Sequence, residues 1–89
     1  MTVEEIVEMV IDVLTHDLNV AVPREQIHAG TLIEADLGLD SVALLELIAA
    51  IEKRLGFELS DAVLQPGTFR TVASVAQGIA ASIAGQAAE

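Results

Sequence analysis

The chain has no cysteine, tryptophan or tyrosine, and its only aromatic residues are Phe57 and Phe69. Without cysteine there is no disulfide frame, no thiolate metal site and no thiol nucleophile of the chain's own. Strands favour aromatic and β-branched residues, whereas the bulk here is Ala, Leu, Ile, Val and Glu, which favours helices around an aliphatic core. Positive charge is scarce as well. Arg24, Lys53, Arg54 and Arg70 stand against 14 acidic residues, a formal charge of -10. Phosphate backbones repel such a chain, so nucleic acid is not expected as a partner, while basic protein surfaces attract it. Long apolar runs are missing too. Glu4, Glu5, Glu8 and Asp12 interrupt the first hydrophobic segment, so no signal peptide or membrane span is read there and the cytoplasm is the expected location. Eighty-nine residues hold one core, giving a single domain over residues 1–89. Its ordered part is expected over about residues 2–84, with a fraying tail from Gly85.

Three longer helices and one short one are predicted, closing as an all-α four-helix bundle with a long loop between helices one and two. Thr2 and Glu5 form a capping box, after which Val3, Ile6, Val7, Val10, Ile11, Leu14 and Leu18 repeat on one face until Asn19 and Pro23 stop the helix. Residues 19–40 form the loop, a length that is usually functional. Val20, Val22, Ile27, Leu32, Leu37 and Leu39 should tuck over the helices, and Thr31 with Glu34 could cap a short turn. Asp40 is the N-cap of a second helix running from about Ser41 to Leu55, with Gly56 as its C-cap. Leu44, Leu47, Ile48, Ile51 and Leu55 make its core stripe. Val42, Leu45 and Ala49 form a second apolar strip beside Glu46 and Glu52, which either touches a partner or widens the core face. A short helix can start at Ser60 and Asp61 and run through Leu64, to be stopped by Pro66 and Gly67. Thr71 caps the last helix, whose stripe is Val72, Val75, Ala76, Ile79, Ala80 and Ile83.

The segment Asp36-Leu37-Gly38-Leu39-Asp40-Ser41-Val42 joins the loop to the second helix. Nucleophilic catalysis by Ser41 would need a base and an oxyanion hole, and His16 and His28 are remote in sequence and undistinguished in setting. The serine is not in a G-x-S-x-G elbow. A calcium loop fails because Ser41 stands where the turn glycine belongs and Leu47 where the closing glutamate belongs. Two isolated histidines make no zinc site. A first-turn serine does suit a phosphate ester, because its hydroxyl lies beside unsatisfied N–H groups at the positive end of the helix dipole. Asp36 and Asp40 oppose an anion locally and fit better as cap and recognition groups. By itself, Asp-Ser at a helix start is a weak signal, and an ordinary first-turn serine is the reading it favours.

D-L-G-L-D-S-V followed by A-L-L-E-L-I-A-A-I-E-K-R-L-G-F-E-L resembles the prosthetic-group site of acyl carrier proteins, and the likeness extends over about residues 2–83. The resemblance implies that Ser41 receives 4′-phosphopantetheine from coenzyme A through a separate phosphopantetheinyl transferase, with Asp40 flanking it. The arm's thiol then carries acyl groups as thioesters, and the chain itself is not an enzyme. The resemblance places Asp36, Val42, Leu45, Glu46, Ala49 and Glu52 at partner contacts. Their implied partners are acyltransferases, ketosynthases or other acyl-processing enzymes with basic patches. Leu47 and Ile51 match an acyl pocket. Ala43 departs from the acid often found two residues after the serine, and Leu44 from a polar residue. These departures point to a carrier of polyketide or related specialised biosynthesis. The start at Met1 and the short tail suggest a stand-alone carrier, with a domain excised from a larger synthase as the alternative, and a monomer is expected. Fatty acid synthesis and an aminoacyl or unusual extender unit are the alternatives within the family. An unmodified acidic helical interaction module is the alternative outside it.

Overall fold

A computed structural model describes residues 1–61 and 63–87. Three α-helices are present among the described residues: α1, Val3–Asp12; α2, Ser41–Leu55; and α3, Val72–Ala87. No strand is assigned to these residues beyond a single antiparallel bridge between Leu32 and Thr71. Thr2 caps α1 as expected. Its amide donates to the Glu5 carboxylate at 2.8 Å and its hydroxyl accepts from the Glu5 amide at 3.2 Å. The bond from the Thr2 amide holds the Glu5 carboxyl below the usual carboxylate range.

The chain stays helical beyond α1 but widens into a π turn over Val13–Asp17, closed by the Leu18 amide on the Val13 carbonyl at 3.0 Å. Asn19, at φ 59°, ends it in the left-handed region that asparagine tolerates. The π turn aims Asp17 at the far end of α2, where Arg54 donates to both carboxylate oxygens at 3.3 Å. That hydrogen bond, ahead of the simple charge attraction, pulls the Asp17 carboxyl below its ordinary range. The unfolded chain lacks the bond, so the ionised carboxylate adds stability above the ordinary carboxylate pKa and loses it as pH falls through the depressed folded value. The stability gap between wild type and Asp17→Asn, read from urea midpoints, is therefore expected to be full at pH 7. It should close in acid below about pH 4.

The core is aliphatic apart from Phe69. Ile6, Val10, Val13, Leu14, Ile33, Leu47, Ile51, Val72 and Ile79 have no exposed surface. Of the predicted α2 stripe, only Leu47 and Ile51 are fully covered, and Leu44, Ile48 and Leu55 are half-buried. In this small body α1 packs mainly on α3, and α2 meets the core along a narrower line. Thr71 caps α3 with Ser74 in the reciprocal position, at 2.9 and 3.0 Å.

Four expectations are corrected. The short helix from Ser60 is a single turn among the described residues, with Val63 bonded to Ser60 at 3.0 Å; Ala62 lies outside them. Pro66 and Gly67 open a 3-10 turn, Pro66–Phe69, rather than only ending a helix. Proline's fixed φ suits a first helical position, and four residues before it are too few to sustain a helix. Gly85 does not end α3, which runs to Ala87; Ala88 and Glu89 lie outside the described residues. Thr31 is buried, and its hydroxyl accepts from the His28 amide at 2.9 Å instead of capping toward Glu34.

Candidate functional site

Ser41 is the first residue of α2 and is exposed. The Asp40 carboxylate accepts from the Ala43 amide at 2.9 Å and the Asp40 carbonyl from the Leu44 amide at 2.9 Å. The amides of Ser41 and Val42 precede any helical partner and have no other acceptor among the described residues. The serine hydroxyl therefore stands in the open beside two unfilled donors at a helix N-terminus.

The approach to Ser41 is held rather than loose. The Asp36 carboxylate accepts from the Leu32 amide at 2.8 Å. Gly38 donates to the Glu34 carbonyl at 2.9 Å and Leu39 to the Ile33 carbonyl at 3.3 Å. Gly38 has φ 70°, a turn that a side chain would strain. Buried Ile33 and Leu39 fasten this hook to the core. A second set of bonds ties the same loop to the start of α3: Ile33 amide to Arg70 carbonyl at 2.9 Å, Val72 to Thr31 at 3.1 Å and Ala73 to Ala29 at 2.8 Å.

On α2, Val42 and Leu45 are 64% and 67% exposed, and Ala49 and Glu46 are exposed beside them. The apolar strip therefore does not widen the core face. Leu47 and Ile51 sit on the opposite side with no exposed surface. Glu52 is half-buried, and its carboxylate accepts from the Leu59 amide at 2.8 Å, tying the connection after α2 back to the helix. Two of the acids assigned to partners, Asp36 and Glu52, thus hold backbone within the fold. Glu46 makes no such bond among the described residues.

Sequence reasoning missed a groove of about 500 Å³ lined by Leu32, Glu34, Ala35, Gly67, Phe69 and Arg70. Leu32, expected to tuck over the helices, is half-buried and faces it. Its two walls lie more than thirty positions apart in sequence and meet only through the pairing of residues 29–33 with 70–73, so no local pattern marks it.

Residues 4–79 match the phosphopantetheine attachment site family. The chain belongs to that family. A curated relative, an acyl carrier protein of Saccharopolyspora erythraea, is 36% identical over 62 residues. That match covers 70% of this chain and 63% of the relative, so the chain spans a little under two thirds of the relative's length. The group borne by carrier proteins of this family is covalent 4′-phosphopantetheine, and they are not themselves enzymes. They interact with phosphopantetheinyl transferases and acyl-processing enzymes. Among the described residues no helix is long and apolar enough to cross a membrane.

Proposed function

We propose that this protein holds acyl intermediates as thioesters on a 4′-phosphopantetheine arm attached to Ser41 and delivers them to partner enzymes, in polyketide or related specialised biosynthesis. The observation that carries the assignment of Ser41 is its position. It is an exposed hydroxyl at the first position of α2, next to the unfilled amides of Ser41 and Val42, inside the matched residues. Those donors suit a phosphodiester, and Asp40 leaves them open by spending its carboxylate on Ala43. When bound, the group supplies the thiol that the chain lacks.

The chain's own part is to hold the hydroxyl steady and to present a docking face. Attachment forms the bond from phosphorus to the serine oxygen and breaks the pyrophosphate bond of coenzyme A, releasing the adenosine bisphosphate. The hydroxyl proton passes to a base on the transferase. Val42, Leu45 and Ala49 form the apolar centre of the docking face, with Glu46 and Asp40 as its exposed acids. Asp36 and Glu52 add charge at its edges while fixing the backbone. Ala43 and Leu44 in place of acidic and polar residues favour specialised biosynthesis over fatty acid synthesis. The protein acts as a cytoplasmic monomer, and the turn that bonds Val63 to Ser60 and the 3-10 turn Pro66–Phe69 stand in for the short helix of a four-helix bundle.

The test is intact mass after incubation with coenzyme A and a broad-specificity phosphopantetheinyl transferase. Wild type is expected to gain one phosphopantetheine and Ser41→Ala none, with the two proteins equally folded by circular dichroism. Gain on the alanine variant would move the site elsewhere. No gain on wild type would bring forward an unmodified interaction module.

A further inference from the structure

The groove between residues 32–35 and 67–70 has a composition that the fold does not explain. Its apolar lining comes from Leu32, Ala35 and Phe69. Its rim carries Glu34 and Arg70, and neither joins an ion pair among the described residues, whereas Arg24 and Arg54 both do. The groove therefore offers one strong acceptor and one strong donor across an apolar bed. A purely aliphatic chain would fill the bed but would use neither charged group. A chain of methylenes and methyls punctuated by amides would use both, since each amide brings one N–H and one C=O.

Ser41 lies near one wall. The Glu34 carbonyl accepts from the Gly38 amide at 2.9 Å. Gly38 is three residues before Ser41, a span of at most about 11 Å even if fully extended. An arm rooted on Ser41 thus begins within easy reach of the groove. The hook that fixes Ser41 also forms the groove's wall, so root and groove are held in register.

Resting on the reading of Ser41 as the attachment point, we propose that this groove seats the distal, amide-bearing half of the phosphopantetheine arm, with Arg70 donating to an amide or thioester carbonyl and Glu34 accepting an amide N–H. The interhelical space at Leu47 and Ile51 is a different place: both residues are fully covered and neither lines the groove. Seating the arm here leaves the apolar strip of α2 free for a partner, which can dock before the arm is withdrawn. A group seated against Arg70 and Glu34 would be short and oxygenated in preference to long and saturated.

The absence of cysteine gives a clean probe, because the arm's thiol would be the protein's sole thiol. The protein is modified from coenzyme A, attachment is checked by mass, and a small nitroxide is linked to the thiol through a disulfide. Amide signals in nuclear magnetic resonance spectra are then compared before and after reduction of the nitroxide. The expected result is strongest broadening at residues 32–35 and 67–70. Ala35→Trp places an indole in the groove from an exposed position and should abolish that pattern. It should also speed reaction of the unlabelled thiol with a bulky disulfide reagent severalfold. Arg70→Ala should weaken the pattern without altering the fold. Broadening centred on Leu47 and Ile51, or along residues 42–49, or spread evenly, would overturn the proposal. So would an Ala35→Trp protein that behaves like wild type. Failure to gain the arm at all would sink the carrier reading and this inference with it, and the mass spectrum separates that case from the others.

Discussion

Leu47→Ala is expected to lower the free energy of unfolding by about 2–5 kcal/mol, whereas Leu45→Ala, two residues away on the same helix, should stay within about 0.5 kcal/mol of wild type. Leu47 is completely covered and Leu45 is 67% exposed. Truncating Leu47 removes buried methyl groups and leaves a cavity lined by neighbours that cannot all relax into it. Truncating Leu45 removes surface that water already reaches. For a domain of this size the first loss is a large share of the whole, since small domains are stable by roughly 5–15 kcal/mol. Urea unfolding followed by circular dichroism would read both. Equal losses would mean that Leu45 is packed against the body after all. A Leu47 cost below about 1 kcal/mol would mean that space beside it is already loose, as a bundle built to receive a chain there would be.

How much of this was legible beforehand depended on whether the deciding contacts were local. Helix α2 runs from Ser41 to Leu55, as the Asp40 cap and the Gly56 stop predicted, because both signals act within one turn of the residues that carry them. Gly56 adopts φ 83°, the conformation that ends a helix most easily with glycine. The α3 stripe was equally readable from its spacing. The π turn at Val13–Asp17 was not, because no local pattern marks it and the contact it accompanies is tertiary: Asp17 meets Arg54, 37 positions away. The exposure of Val42 and Leu45 could be posed as a question from the sequence and answered only by the packing of α1 on α3. The groove and the backbone role of Glu52 were invisible, since each needs two segments that meet only after folding. Gly78 has the same character. A Cβ there would lie 2.7 Å from Thr68 Cγ2, so α3 accepts the 3-10 turn closely at a position that reads as a mere weak spot in a helix.

Glu46→Lys is expected to lower kcat/KM for phosphopantetheinyl transfer by roughly tenfold at low salt, about 1.4 kcal/mol of transition-state stabilisation. Glu52→Gln should change it little. The two acids lie on the same helix, but their surroundings differ. Glu46 is exposed beside Val42, Leu45 and Ala49 and bonds to no backbone amide among the described residues. It is therefore available to a basic patch, and reversing its charge sets like against like at the centre of the docking face. Glu52 accepts from the Leu59 amide at 2.8 Å. Glutamine keeps an acceptor oxygen for that bond, so Glu52→Gln preserves the connection after α2 and removes only a half-buried charge at the edge. Glu52→Ala leaves the Leu59 amide without its partner and should cost about 1 kcal/mol of stability, with faster hydrogen exchange at Leu59. Screening decides whether the Glu46 effect is electrostatic. Raising ionic strength from about 0.01 M to 1 M shortens the Debye length from about 30 Å to 3 Å, so the gap between wild type and Glu46→Lys should shrink toward the residual contact term. A gap that persists undiminished in high salt would mean that the lysine obstructs the apolar strip sterically. Equal losses from Glu46→Lys and Glu52→Gln would mean that partners read the net charge of the helix and not the one acid that the fold leaves free.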